Sequence, residues 1–137
     1  MESRVRVVMT AVLVSAAASL AGACGSSSPT TPGAPTVGGE GSAGRVGWIQ
    51  PAASLAQANG YSYKSYVDTT TRVDLGSQTC RQGATNTSFD CSAALPQLSQ
   101  GRHVLELIAV DGGGMESPRA APLVVVVTAT GISLRSE

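Results

Sequence analysis

The stretch from Leu98 to Val127, LSQGRHVLELIAVDGGGMESPRAAPLVVVV, constrains the fold more than any other part of the chain. His103, Leu105, Leu107 and Ala109 fall on one face and Val104, Glu106, Ile108 and Val110 on the other, which is the two-residue period of a strand. Glu106 marks the second face as the wetter one, so the first set is expected to point inward. Leu123 to Thr128 shows no alternation, as a strand with burial on both faces would read. Pro118 and Pro122 precede it, where a missing donor is tolerated. Gly112-Gly113-Gly114 lies between the two runs, precedes no helix and follows no parallel strand. It reads as a hairpin loop rather than a phosphate cradle.

The chain upstream supplies partners for this hairpin. Val46 to Ile49 is a short strand stopped by Gln50-Pro51. Ala52 to Gly60 is a loop whose alanine-rich run allows a helical turn before Asn59-Gly60 ends it. Tyr61 to Asp68 is the next strand, with Tyr61, Tyr63, Ser65 and Val67 on one face and Ser62, Lys64, Tyr66 and Asp68 on the other. Thr71, Val73 and Leu75 alternate with Arg72 and Asp74 in a short edge strand, and Phe89, Cys91, Ala93 and Leu95 occupy alternate positions of a further strand that Pro96 terminates. Charged residues make up only 13% of the 137 residues, and the helix formers Glu, Lys, Gln and Leu give way to Gly, Ser, Thr, Ala and Val. These features predict one all-β domain over residues 45–130, an antiparallel sandwich. With no net charge, nothing points to a nucleic-acid partner.

Residues 1–23 read as a targeting segment. Arg4 and Arg6 are its positive end, and Val7 to Leu20 is uncharged and too short to span a bilayer comfortably. The segment closes on Leu20-Ala21-Gly22-Ala23-Cys24, which resembles the lipobox of bacterial lipoproteins, with Ala21 where Leu is usual and Leu20 one place further back. The resemblance implies lipidation of Cys24 and an envelope location. Gly25 in place of Asp favours the outer membrane where the cell has one. Plain cleavage after Ala23, giving a secreted or periplasmic protein, is the alternative. Residues 24–44, rich in Gly, Ser, Thr and Pro, are expected to form a flexible tether, and residues 131–137 a C-terminal tail.

Trp48 with a following proline, the Tyr-rich strand ending in YVD, then Leu98, Gly101, AVD and ESP occur in the order found in fibronectin type III domains or a close bacterial immunoglobulin-like relative. The resemblance covers about Pro32 to Thr130, with Ala34-Pro35-Thr36 in the place of that family's N-terminal proline segment. It implies an immunoglobulin-like sandwich. The first strand is nearly absent, because PTVGGEGSAG is very rich in glycine. His103 stands where the family often carries a corner tyrosine, which gives it a structural place bonding backbone.

Cys80 and Cys91 remain once Cys24 is assigned to the leader, and an exported pair reads as a disulfide. A redox or metal pair needs closer spacing or further ligands. No cofactor or metal site is expected and no catalytic residue is assigned: His103 is the only histidine, no GxSxG elbow occurs, and the carboxylates are dispersed. Asp111 and Glu116 flank one loop, which is thin support for calcium. The expected role is therefore non-enzymatic: a lipid-anchored envelope module contacting protein or polysaccharide through its loops, or an accessory or spacer domain beside a secreted enzyme. The contact loop expected from this reading is Asp111, Gly112, Gly113, Gly114, Met115 and Glu116, with Ala52 to Gly60 as a second contributor.

Overall fold

Alternating apolar residues require a second apolar layer, and in the computed structural model that layer is another sheet. The structure describes residues 27–38 and 44–135. The leader and Cys24 lie outside the described residues. The elements run β1 (Thr36–Gly38), β2 (Arg45–Pro51), α1 (Leu55–Gly60), β3 (Ser62–Val67), β4 (Thr71–Asp74), β5 (Thr79–Gln82), β6 (Ser88–Ala94), β7 (Gly101–Val110), β8 (Leu123–Thr128) and β9 (Gly131–Arg135). One sheet has the order β1-β2-β6-β5 and the other β4-β3-β7-β8-β9, with every pairing antiparallel. The chain is an antiparallel β-sandwich. Its order is the four-on-three arrangement of immunoglobulin constant-type domains with one strand added at each edge of the second sheet.

The core follows the alternation. Val46, Trp48, Tyr63, Phe89, Cys91, Leu107 and Ala109 form the main buried cluster, and Val67, Leu105 and Val125 a second. Trp48 and Tyr63 pack with ring centroids 4.7 Å apart, and the Tyr63 hydroxyl donates to the Ala58 carbonyl at 2.8 Å. Full burial of side chains of this size stabilises by about 1.5–3 kcal/mol each. The expected disulfide is present. Cys80 and Cys91 are register partners on the adjacent strands β5 and β6, Cα atoms 4.0 Å apart. The Tyr63 hydroxyl lies 3.9 Å from each sulfur.

The folded unit is larger than residues 45–130. Thr36 to Gly38 pair with β2, Gly33 N–H donates to the Ile49 carbonyl at 2.7 Å, and Pro29, Pro32 and Pro35 are buried. So residues 27–38 of the expected tether are part of the sandwich: their prolines have little backbone freedom to lose, and β2 would otherwise present an unpaired edge. Residues 131–135 of the expected tail pair with β8 as an edge strand. A further difference concerns β7, where Ile108 is 1% exposed and Val110 is also buried, although both lie on the face read as wet. Beyond the loop the chain runs back along β7, with Ser117 N–H on the Ala109 carbonyl and Ala120 N–H on the Leu107 carbonyl, each at 2.8 Å. On that face Lys64 stands opposite Ile108 in the register and the Arg119 guanidinium stacks on Tyr66.

Two carboxamides finish the sheet edges where the chain changes layer between β4 and β5. Gln78 Oε1 accepts from Tyr63 N–H at 3.2 Å and its Nε2 donates to the Tyr61 carbonyl at 2.5 Å. Asn59 Oδ1 accepts from Cys80 N–H at 3.0 Å, and its Nδ2 donates to the Cys80 carbonyl at 3.4 Å. Each side chain occupies the place of a neighbouring strand residue, so edge N–H and C=O groups are met without another strand.

Candidate functional site

The Asp111–Glu116 loop is a closed turn. Asp111 Oδ1 accepts from Gly113 N–H and Met115 N–H, both at 2.9 Å, while Asp111 N–H donates to the Met115 carbonyl at 3.0 Å. Gly114 adopts φ +83°, a conformation glycine reaches without strain. Glu116 turns back to an ion pair with Arg72. Asp111 and Glu116 therefore point to different partners. Among the described residues no group of three or more His, Cys, Asp or Glu side chains is placed to hold a metal ion.

This loop shares one end of the sandwich with the Ala52–Gly60 segment, because Ser62, which opens β3, pairs with Val110, which closes β7. Asp111 and burial together raise the pKa of the Tyr61 phenol, burial contributing more. In the Ala52–Gly60 segment, Ser54 Oγ accepts from Gln57 N–H at 3.1 Å and Gln57 Oε1 from Ala53 N–H at 2.7 Å, a reciprocal cap that starts α1. The Gly83–Thr87 turn lies at the same end, since Ala52 N–H donates to the Thr87 carbonyl at 3.1 Å.

At the opposite end His103 meets two residues that the sequence does not place beside it as a group. Its Nδ1 lies 2.8 Å from Asp68 Oδ2, and its Nε2 lies 2.9 Å from the Ser99 carbonyl and 3.3 Å from Ser99 Oγ. Asp68 Oδ1 also accepts from Val104 N–H at 3.0 Å. The composition is that of a Ser-His-Asp triad, but the protons are arranged otherwise. A carbonyl oxygen only accepts, so Nε2 carries a proton; the carboxylate accepts from Nδ1, so that nitrogen carries one too. Both contacts favour the protonated ring, and the His103 pKa is raised first by the Asp68 bond and then by the Ser99 carbonyl. Asp68 is correspondingly held below its ordinary carboxylate range by the bonds from His103 and Val104. This group ties the β3–β4 turn to the start of β7, the structural place expected for His103.

The two outer sheet faces differ. On the β4-β3-β7-β8-β9 sheet, the Arg119 guanidinium lies 3.7 Å from the Tyr66 ring centroid and 2.8 Å from Glu106, and Lys64 pairs with Asp74 at 2.5 Å. Tyr66 and Lys64 are thus engaged within the molecule. On the β1-β2-β6-β5 sheet a shallow groove of about 570 Å³ runs across the strands, lined by Ala34, Thr36, Gly47, Ile49, Thr79 and Arg81, with Asp90 and Ser92. Ile49 is 52% exposed there, and Arg81 faces Asp90 at 3.8 Å. The groove was not among the expected sites. Its signal in the sequence is the period of β2, which turns Val46 and Trp48 inward and leaves a glycine and an isoleucine facing out.

Comparison with protein-family models, with curated proteins and with solved structures finds no match to this chain. Among the described residues no helix is long and apolar enough to cross a membrane.

Proposed function

We propose that this chain is a lipid-anchored, non-enzymatic interaction module of the cell envelope that takes an extended segment of a partner protein on the outer face of its β1-β2-β6-β5 sheet. The single observation that carries the reading is the groove there. It is open, about 570 Å³ in volume, floored at Gly47 and rimmed by hydroxyl side chains, an ion pair and one exposed isoleucine. An apolar anchor beside a few polar groups is the usual makeup of a peptide-binding surface. A protein segment fits better than a glycan because sugars favour aromatic platforms. Trp48, Tyr61, Tyr63 and Phe89 are buried, and Tyr66 is covered by Arg119. The anchor part of the reading is supported by the Cys24 context described above.

A photo-crosslinking residue placed at Ile49 or Thr79 of the full-length protein in intact cells tests this. Protein adducts are expected at both positions and are expected to disappear when Arg81→Glu is added to the Ile49 probe. Carbohydrate adducts alone, or protein adducts equally abundant from a probe at Gly113, would overturn the assignment of the groove. The anchor is tested separately: Cys24→Ser is expected to leave the membrane fraction.

A further inference from the structure

We infer that the end of the sandwich carrying α1, the Gly83–Thr87 turn and the Asp111–Met115 turn lies against the lipid bilayer that holds Cys24. This rests on the anchor proposed above and adds an orientation to it. Ser27 to Thr30 are docked at that end. The fully buried Gln50 donates from Nε2 to the Thr30 carbonyl at 2.9 Å, and Pro29 is buried. Ser27 and Ser28 line a hollow of about 410 Å³ together with Ala53, Gln57, Tyr61 and Thr87. Cys24 precedes Ser27 by three positions, and an extended chain of that length reaches at most about 11 Å. The acylated residue cannot then be further than that from Ser27, and the domain is held close to the headgroups instead of standing off on a long tether.

The chemistry of this end agrees with a lipid surface as its neighbour. Ala52–Tyr61, Gly83–Thr87 and Asp111–Glu116 contain two charged side chains, Asp111, whose Oδ1 is committed to Gly113 and Met115 N–H, and Glu116, which is paired with Arg72. Leu55 on α1 is 38% exposed, an apolar side chain suited to the headgroup–acyl boundary. Small uncharged residues lose little hydration when they meet headgroups, whereas the other end presents Asp68, Arg102 and His103. The ten residues of β7 separate the two ends by about 33 Å. The Asp111–Glu116 loop, expected from the sequence to contact an envelope protein or polysaccharide, is on this reading a membrane-facing turn.

The test uses the full-length lipidated protein in phosphatidylethanolamine–phosphatidylglycerol vesicles whose headgroups carry a nitroxide quencher. An environment-sensitive fluorophore is placed at Leu55 or Gly113, and in parallel at Thr70 or Gln100 on the far end. Loss of emission at Leu55 and Gly113 with emission retained at Thr70 and Gln100 is the expected result. Equal quenching at all four positions, or the reverse pattern, overturns the orientation while leaving the anchor intact. The Cys24→Ser protein, read by co-sedimentation, separates the two ideas. Its release from vesicles keeps the anchor reading, and its continued sedimentation removes that reading and the orientation built on it.

Discussion

Reduction of the Cys80–Cys91 bond is the perturbation whose magnitude follows most directly from this structure. The cysteines are separated by eleven positions. In the chain-entropy relation a loop of that size removes enough freedom from the unfolded chain to stabilise the fold by about 3 kcal/mol at room temperature. Comparing oxidised with reduced wild-type protein isolates this term, because no atom other than hydrogen changes. A domain of this size loses about 4–8 °C of Tm per kcal/mol, so reduction should lower Tm by about 12–24 °C in scanning calorimetry. Substituting both residues, Cys80→Ser with Cys91→Ser, should cost more, since Cys91 is 3% exposed and a hydroxyl would replace sulfur inside the core. The reasoning is refuted if reduced and oxidised proteins melt within about 2 °C of each other, or if the native protein alkylates at two thiols without a reductant.

The His103 corner predicts a pH profile. Its folded pKa lies above the ordinary 6.5, so its contribution is complete below that value and is lost as pH rises through the folded pKa; that of Asp68 lies below 3.8, so its contribution is complete above 3.8 and is lost as pH falls through the folded value. Urea denaturation should therefore give this corner's largest contribution in the mildly acidic range between those two values, and His103→Ala should flatten the alkaline limb; an unchanged limb would show that the ring is not held protonated. The carboxamides predict an order of effects. Gln78→Ala deprives part-buried Tyr63 N–H and the Tyr61 carbonyl of partners and should cost about 1–3 kcal/mol in urea unfolding. Asn59→Ala should cost about 1 kcal/mol or less, because water can reach the exposed edge of β5.

Much of the framework was legible because long strands flanked by two sheets must alternate. Tyr61, Tyr63 and Val67, Phe89 and Cys91, and Leu105, Leu107 and Ala109 are all inward, as their period required. Of the four edge strands β4 was legible, whereas β1, β5 and β9 were not, for a physical reason. β1, β5 and β9 each pair with a neighbouring strand on one side only, and within Thr79–Gln82 only Cys80 turns to the core, which is too little to impose an alternation. The His103 group was half legible. Gly101 and Leu105 locate the corner, but the carboxylate that fixes its charge comes from Asp68, at a separation of 35 positions, brought there by the β3–β7 pairing. The groove is not legible in the sequence because its residues are mostly small and polar and converge from β1, β2, β5 and β6, a neighbourhood that only sheet order creates.

The segment 27–38 joins the two proposed surfaces. Its first residues, Ser27 to Thr30, dock at the end assigned to the membrane, and its last, Ala34 and Thr36, form one wall of the groove on the outer sheet face. With the strands running away from the bilayer, that groove opens sideways, so a partner would approach parallel to the membrane. The same backbone that would lead from the proposed lipid anchor also shapes the proposed binding surface, through Gly33 on Ile49 and Thr36 opposite Gly47. A protein trimmed to begin at Arg45 would keep the β2-β6-β5 layer yet lose a wall of the groove and leave the edge of β2 unpaired. Loss of partner capture in such a protein, set against capture by a soluble Cys24→Ser chain, would report the missing wall rather than the missing anchor. Capture retained by a soluble Cys24→Ser chain that keeps residues 27–38 would assign that segment to recognition as well as to attachment.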